Sequence, residues 1–155
     1  MPDLVLYQPD IPQNTGTMLR LGACLGVTVH LIEPAGFPMS DHALRRAGMD
    51  YLERAALVRH LGFDAFEDWR RTQGRRLVLL TTRAEKAFSR FSFRADDLLM
   101  LGRESVGVPA TVHETVDARV TIPMVEGVRS LNVAVSAAMV LGEALRQTGG
   151  FAADG

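Results

Sequence analysis

The sequence predicts an α/β domain built on a mainly parallel sheet flanked by helices. Short apolar runs alternate with helical periodicities from one end of the chain to the other. Several of these runs are apolar at consecutive positions, as strands buried on both faces must be. Polar or glycine-rich segments stand where runs give way to helices, the junctions at which open parallel sheets bind ligands.

The predicted strands are Leu4 to Tyr7, Val27 to Ile32, Ala56 to Val58, Leu77 to Thr81, Leu98 to Leu101 and Val120 to Ile122. Between the first two, Asn14 or Thr15 can cap a helix carrying Met18, Leu21 and Leu25 on one side and stopping at Gly26. A second helix can start at Ser40 or Asp41 and run through Leu44 and Ala47 to about Gly48. A third starts at Asp64 and buries Phe66 and Trp69. Pro109 suits the first turn of a short helix through Val112. The last helix, Ser130 to Gln147, is the most apolar and ends at Gly149 and Gly150. No repeat or linker divides the chain, so a single domain over 1–155 is expected, with a flexible tail from about 149.

Composition narrows the function classes. Nearly half of the 155 residues are apolar, enough for a sizeable core. No window approaches the roughly 18 apolar residues of a membrane span, and the amino end lacks a basic region followed by a hydrophobic one. A cytoplasmic protein is expected. Cys24 has no internal partner and reads as core packing beside Met18, Leu21 and Leu25. His30, His42, His60 and His113 lack metal-ligand spacing and read as surface or packing residues, so no metal is expected. The net charge of -1 gives no global attraction to nucleic acid, although 16 of the 17 basic residues are arginine. The pairs Arg45-Arg46, Arg70-Arg71 and Arg75-Arg76 read as solvated helix faces and loop ends, from which one or two could meet RNA phosphates.

Three segments can carry chemistry. In QPDIPQNTGTMLR two prolines stiffen an extended approach to a helix, and Arg20 lies off the apolar stripe without a structural task. In LMLGRESVGVP an apolar strand runs into Gly102 and Gly107, where missing side chains allow close approach of backbone to a ligand. Val108 and Pro109 stand where a phosphate loop needs Lys and Ser or Thr, and no dinucleotide fingerprint follows any predicted strand. In IPMVEGVRSLN, Ser130 and Asn132 lie two apart at the entrance to the last helix. One can cap while the other faces a ligand.

Taken in order, YQPDIPQNTGTMLRLGA, LRRAGMDY, LGRESVGVP and IPMVEGVRSLNVAVSAAMVLGEALRQ resemble the SPOUT methyltransferases, specifically the small tRNA 2′-O-methyltransferases that modify the wobble ribose. The resemblance covers about residues 3 to 147. It implies a deep trefoil knot at the carboxyl-terminal end, S-adenosylmethionine held by the knot loops, and a homodimer whose active site lies between subunits. The implied substrate is the cytidine or modified uridine at position 34 of a tRNA anticodon loop, in leucine tRNAs by the usual preference. The implied cofactor contacts are Leu80, Gly102, Ile122 and Ser130, with Leu101, Glu104, Met124, Leu131 and Asn132 close by. Arg20 matches the catalytic arginine, and Asn14 helps to shape the pocket.

The chain departs from the family pattern at Arg103, where proline is common, and at Val106, Val135 and Gly142, where relatives carry basic, polar or tyrosine residues. Two other readings compete: a methyltransferase for another tRNA or ribosomal RNA ribose, and a module of the same fold that binds RNA or cofactor without turnover. Retention of Arg20, Ser130 and Asn132 argues against the second.

Overall fold

The computed structural model describes residues 1–46, 56–128 and 131–153, with the side chains of Asp41, Leu44 and Arg46 excepted. Predictions at Ala47, Gly48, Arg129 and Ser130 lie outside the described residues. The order is β1 (Asp3–Tyr7), α1 (Pro12–Leu25), β2 (Val29–Ile32), α2 (Asp41–Arg46), β3 (Leu57–His60), α3 (Phe63–Gln73) and β4 (Leu77–Leu80). A 3₁₀ turn at Phe88–Arg90 precedes β5 (Leu98–Leu101), α4 (Ala110–Thr115), β6 (Ala118–Val120) and α5 (Val133–Thr148).

Six strands form one sheet in the order β3-β2-β1-β5-β4-β6, and every pairing is parallel. The chain moves outward from β1 through β2 to β3, then crosses to the other side. The β1/β5 boundary is therefore the switch point at which such sheets open a crevice at their carboxyl ends.

Alternate residues of each strand face opposite layers. Leu4, Leu6, Val29 and Leu99 pack with Met18 and Leu19 of α1 and with Ala137, Leu141 and Leu145 of α5. Val5, Tyr7, Ile32 and Met100 pack on the other side with Phe66 of α3 and Val112 of α4. Truncating a residue such as the fully buried Leu141 to alanine costs about 2–5 kcal/mol.

The amino ends of the strands are tied by ion pairs. Asp97, fully buried just before β5, accepts from Arg76 Nε at 2.8 Å and Nη2 at 2.6 Å and from the Arg94 amide at 2.8 Å. Arg70 donates to Glu67 at 2.7 Å and to Asp117 at 2.7 Å, and Arg75 donates to Asp3 at 2.8 Å. These three arginines are thus internal braces, which corrects their assignment to solvated faces. Arg71, 71% exposed, keeps that assignment.

Other boundaries differ from expectation for identifiable reasons. The first helix starts at Pro12, not at an Asn14 or Thr15 cap, because proline at the first turn has no N–H needing a cap. Gly22 lets α1 approach closely, since a Cβ there would meet Val27 O at 2.7 Å and Val29 Cγ2 at 2.9 Å. The fully buried residues of α1 are Thr15, Gly16, Met18, Leu19 and Gly22, and Leu21 and Leu25 pack against the core as expected, whereas Cys24 is exposed rather than packed there. Ser40 does cap α2, accepting from the Ala43 amide at 3.1 Å. The last strand ends at Val120, so Ile122 lies beyond it. His30 and His60 are packing residues as expected, while His42 is exposed. Among the described residues, no helix is long and apolar enough to cross a membrane, and no cluster of His, Cys, Asp or Glu could hold a metal ion.

Candidate active site at the carboxyl ends of the central strands

A cavity of about 750 Å³ opens where β4, β5 and β6 end. That size suits a nucleoside-sized ligand. Each strand end contributes a wall: Leu80 from β4, Leu101 and Gly102 from β5, and Ile122 and Met124 from the segment after β6. Glu104, Leu131 and Asn132 also line it. Of the four expected cofactor contacts, the fold brings Leu80, Gly102 and Ile122 together, and Ser130 lies outside the described residues.

Gly102 is required by close approach. A Cβ there would lie 2.8 Å from both Cα and C of Gly107. The loop closes because the amides of Arg103 and Gly107 each donate to the other's carbonyl, at 3.0 and 2.8 Å, and Gly107 takes φ +70°, a left-handed value suited to glycine.

Asn132 joins two helix starts. It is the N-cap of α5, its Oδ1 accepting from the amides of Ala134 at 2.8 Å and Val135 at 3.2 Å. Its Nδ2 donates to Asn14 Oδ1 at 3.0 Å, so the first turn of α1 is bound to the first turn of α5. Asn14 thereby enters the cavity wall through a partner in the last segment. Thr15, the other expected cap, is buried instead, and its hydroxyl has no partner among the described residues.

Arg20 stands on the exposed face of α1 and does not line the cavity of its own chain. Arg83, Arg103 and Ser136 do line it. Arg83 follows the strand end LLTT and Ser136 lies one turn beyond the cap, so both stand at a strand-to-loop or loop-to-helix junction that the sequence pattern marks. Arg103 places a guanidinium where the family pattern has proline.

The three segments are therefore one site, with apolar walls, a glycine-backed loop and polar helix starts. A domain of this class recurs among known proteins: a family model described as the SpoU rRNA Methylase family matches residues 2–142, and the chain belongs to that family. Among curated relatives, a tRNA (cytidine(34)-2'-O)-methyltransferase of Ancylobacter novellus is 62% identical over 152 residues, covering 98% of this chain and 96% of the relative. One from Escherichia coli strain K12, with the same name, is 43% identical over 151 residues, covering 96% and 95%. Among solved structures, one concerning the 2-OH methylation of C/U34 on tRNA matches with TM-score 0.87 at 42% identity, covering 95% of both chains. The SpoU methyltransferase AviRb of Streptomyces viridochromogenes in complex with AdoMet matches with TM-score 0.80 at 26% identity, covering 95% of this chain and 60% of that one.

Proposed function

We propose that this chain is a tRNA 2′-O-methyltransferase that transfers a methyl group from S-adenosylmethionine to the ribose 2′-oxygen of nucleotide 34. The substrate is the cytidine or modified uridine of an anticodon loop, with leucine tRNAs the preferred acceptors. The observation that carries this reading is the cavity formed by Leu80, Gly102 and Ile122 at adjacent strand ends, in a chain 62% identical to a protein bearing that name.

The residues fit the cofactor. Leu80, Leu101 and Ile122 offer apolar surface for a purine ring, and strand-end backbone beside Gly102 offers donors and acceptors for its edges. When bound, the sulfonium supplies an already activated methyl group, so no metal is called for. The protein's task is then to align the ribose oxygen with that methyl and to favour loss of the hydroxyl proton. Loss of the hydroxyl proton to solvent would leave negative charge on the ribose oxygen before it bonds to the methyl carbon, and that charge needs a neighbouring donor. Arg20 supplies it as a cation: a guanidinium is a poor base but a good stabiliser of developing alkoxide charge. Asn14, Ser130 and Asn132 shape the same pocket.

The reading includes a single domain over 1–155, a cytoplasmic setting, a carboxyl-terminal trefoil knot and a homodimer. Support for the dimer is twofold. Arg20 is exposed on α1 and does not line its own chain's cavity, as a residue serving a site between subunits would be placed. Val135 and Met139, one turn apart on α5, are 49% and 41% exposed and continue from exposed Leu131, an apolar stripe suited to a second copy.

Incubation with labelled S-adenosylmethionine and total tRNA from a strain lacking the modification, followed by mapping of the methylated nucleotide, tests the proposal. Label on the ribose of nucleotide 34 is expected. Label on a base or at another position would replace this substrate, and binding without turnover on any RNA would favour the non-catalytic module.

A further inference from the structure

Three loops converge on Asp10, which lies just beyond β1. The Gly36 amide, in the loop after β2, donates to Pro9 O at 2.8 Å, and a Cβ on Gly36 would come within 2.7 Å of Asp10 Cβ. The loop after β5 meets Asp10 more intimately, across a sequence separation of 94 residues. The Asp10 amide donates to Glu104 Oε2 at 3.0 Å, and the Glu104 amide donates to Asp10 Oδ1 at 3.2 Å. The Ser105 hydroxyl donates to Asp10 Oδ2, from which Arg103 Nη2 lies 3.6 Å away.

Each carboxyl accepts the other residue's amide, so both lie in one corner of the site, with the Arg103 guanidinium beside Asp10. Tyr7 is the other titratable group nearby, and burial pushes its phenol up, so it stays neutral. With both carboxyls ionised the cluster carries an excess negative charge, and Glu104 Oε1 is buried with no hydrogen-bond partner among the described residues. One added proton removes both penalties, because the cluster becomes neutral and the carboxyl gains a donor of its own.

We propose that Asp10 and Glu104 share a single proton and thereby form a latch that fixes the Gly102–Val108 loop against the start of α1, making Asp10 a positioning residue for methyl transfer. The surroundings of the two carboxyls favour the proton on Glu104. Burial and then the bond with Asp10 raise its carboxyl above the ordinary value, whereas Glu104 and then Ser105 and Arg103 hold Asp10 below its own, against the opposing effect of burial. As pH rises through the raised Glu104 value the shared proton is lost, two negative charges face one another, and the latch loosens. The positioning role rests on reading the adjoining cavity as the methyl donor's site, but the proton sharing does not.

The first measurement therefore uses no ligand. In the full-length protein labelled with ¹³C at its carboxyls, Glu104 should titrate above the ordinary glutamate range, and in Asp10→Asn it should fall back toward that range. An ordinary titration of Glu104 in the native chain overturns the proposal. The second measurement is calorimetric binding of S-adenosylhomocysteine across the acid and alkaline range. Native affinity should weaken as Glu104 loses its proton, and Asp10→Ala should bind about tenfold more weakly. Asp10→Asn, whose amide is a permanent donor, should bind more tightly than Asp10→Ala with a flattened pH profile. Native-like binding by Asp10→Ala, or an unchanged profile in Asp10→Asn, overturns the positioning role. Failure of the native protein to bind at all would sink the cofactor reading and leave the carboxyl titration to decide the latch.

Discussion

Asn132 and Asn14, 118 residues apart, are joined by a hydrogen bond of 3.0 Å while Asn132 also caps α5. One side-chain amide thus serves stability with its oxygen and site geometry with its nitrogen. Asn132→Asp separates the two roles, since a carboxylate still accepts from the Ala134 and Val135 amides but cannot donate to Asn14. The expected outcome is near-native melting with methyl transfer reduced on the order of 10²-fold, the effect of a misplaced catalytic wall. Asn132→Ala should in addition lose about 1 kcal/mol of stability in denaturant titration.

Gly102→Ala drives a methyl group into the Gly107 backbone. The loop must shift, at a cost of about 1–3 kcal/mol. Cofactor binding measured by calorimetry should be lost while far-ultraviolet circular dichroism remains that of the native fold; native affinity would remove Gly102 from the site.

Arg20→Ala should abolish methylation while leaving S-adenosylhomocysteine affinity nearly intact, because Arg20 does not line the cavity of its own chain. If the site is shared between subunits, mixing this variant with Gly102→Ala restores activity to some of the mixed dimers. Full activity in Arg20→Ala alone would end its catalytic assignment.

Asp97→Ala leaves Arg76 with no carboxylate at a site where the lost side chain was fully buried. Breaking one side of such a pair costs about 3–5 kcal/mol. Thermal unfolding should register the loss.

Acid should destabilise the fold in two stages through the cluster formed by Asp3, His30 and His60. His30 Nε2 donates to Asp3 at 3.0 Å, and His30 Nδ1 lies 3.0 Å from His60 Nε2. Burial and the neighbouring His30 hold His60 below the usual histidine value. Burial alone would raise Asp3, but bonds from His30 and Arg75 outweigh it and hold Asp3 below 3.8. Both groups bind protons less readily folded than unfolded, so their contribution is complete at neutral pH. It declines as pH falls below about 6.5 for His60 and below about 3.8 for Asp3. Denaturant titrations at several pH values should show the first decline in the native chain and flatten it in His60→Phe.

The strands were legible because their apolar runs have no other place to go, and β5 runs over the predicted residues, Leu98 to Leu101. The cavity was legible because glycine and polar residues interrupt those runs at strand ends. What could not be read was pairing across distance. Nothing in the local pattern ties Asp10 to Glu104, Asn14 to Asn132 or Arg75 to Asp3, since each bond depends on the sheet order. Helix phase was legible in the stripe of Met18, Leu21 and Leu25, all of which pack in or against the core, but not in Cys24, which is exposed. The close contact of Gly22 with Val27 and Val29 likewise depends on the strand beside it.

Asp3, Arg75, Arg76, Asp97 and Asp117 all sit where strands begin, and the cavity sits where strands end. The sheet therefore keeps its ion-pair anchorage and its cavity on opposite rims, with the apolar layers between them. Substitutions scored separately for melting and for turnover should differ by height along the strands, low positions changing melting alone and high positions such as Gly102 changing turnover, with or without a loss of stability. A lineage could then adjust tolerance of heat or acid at one rim while changing which RNA it accepts at the other.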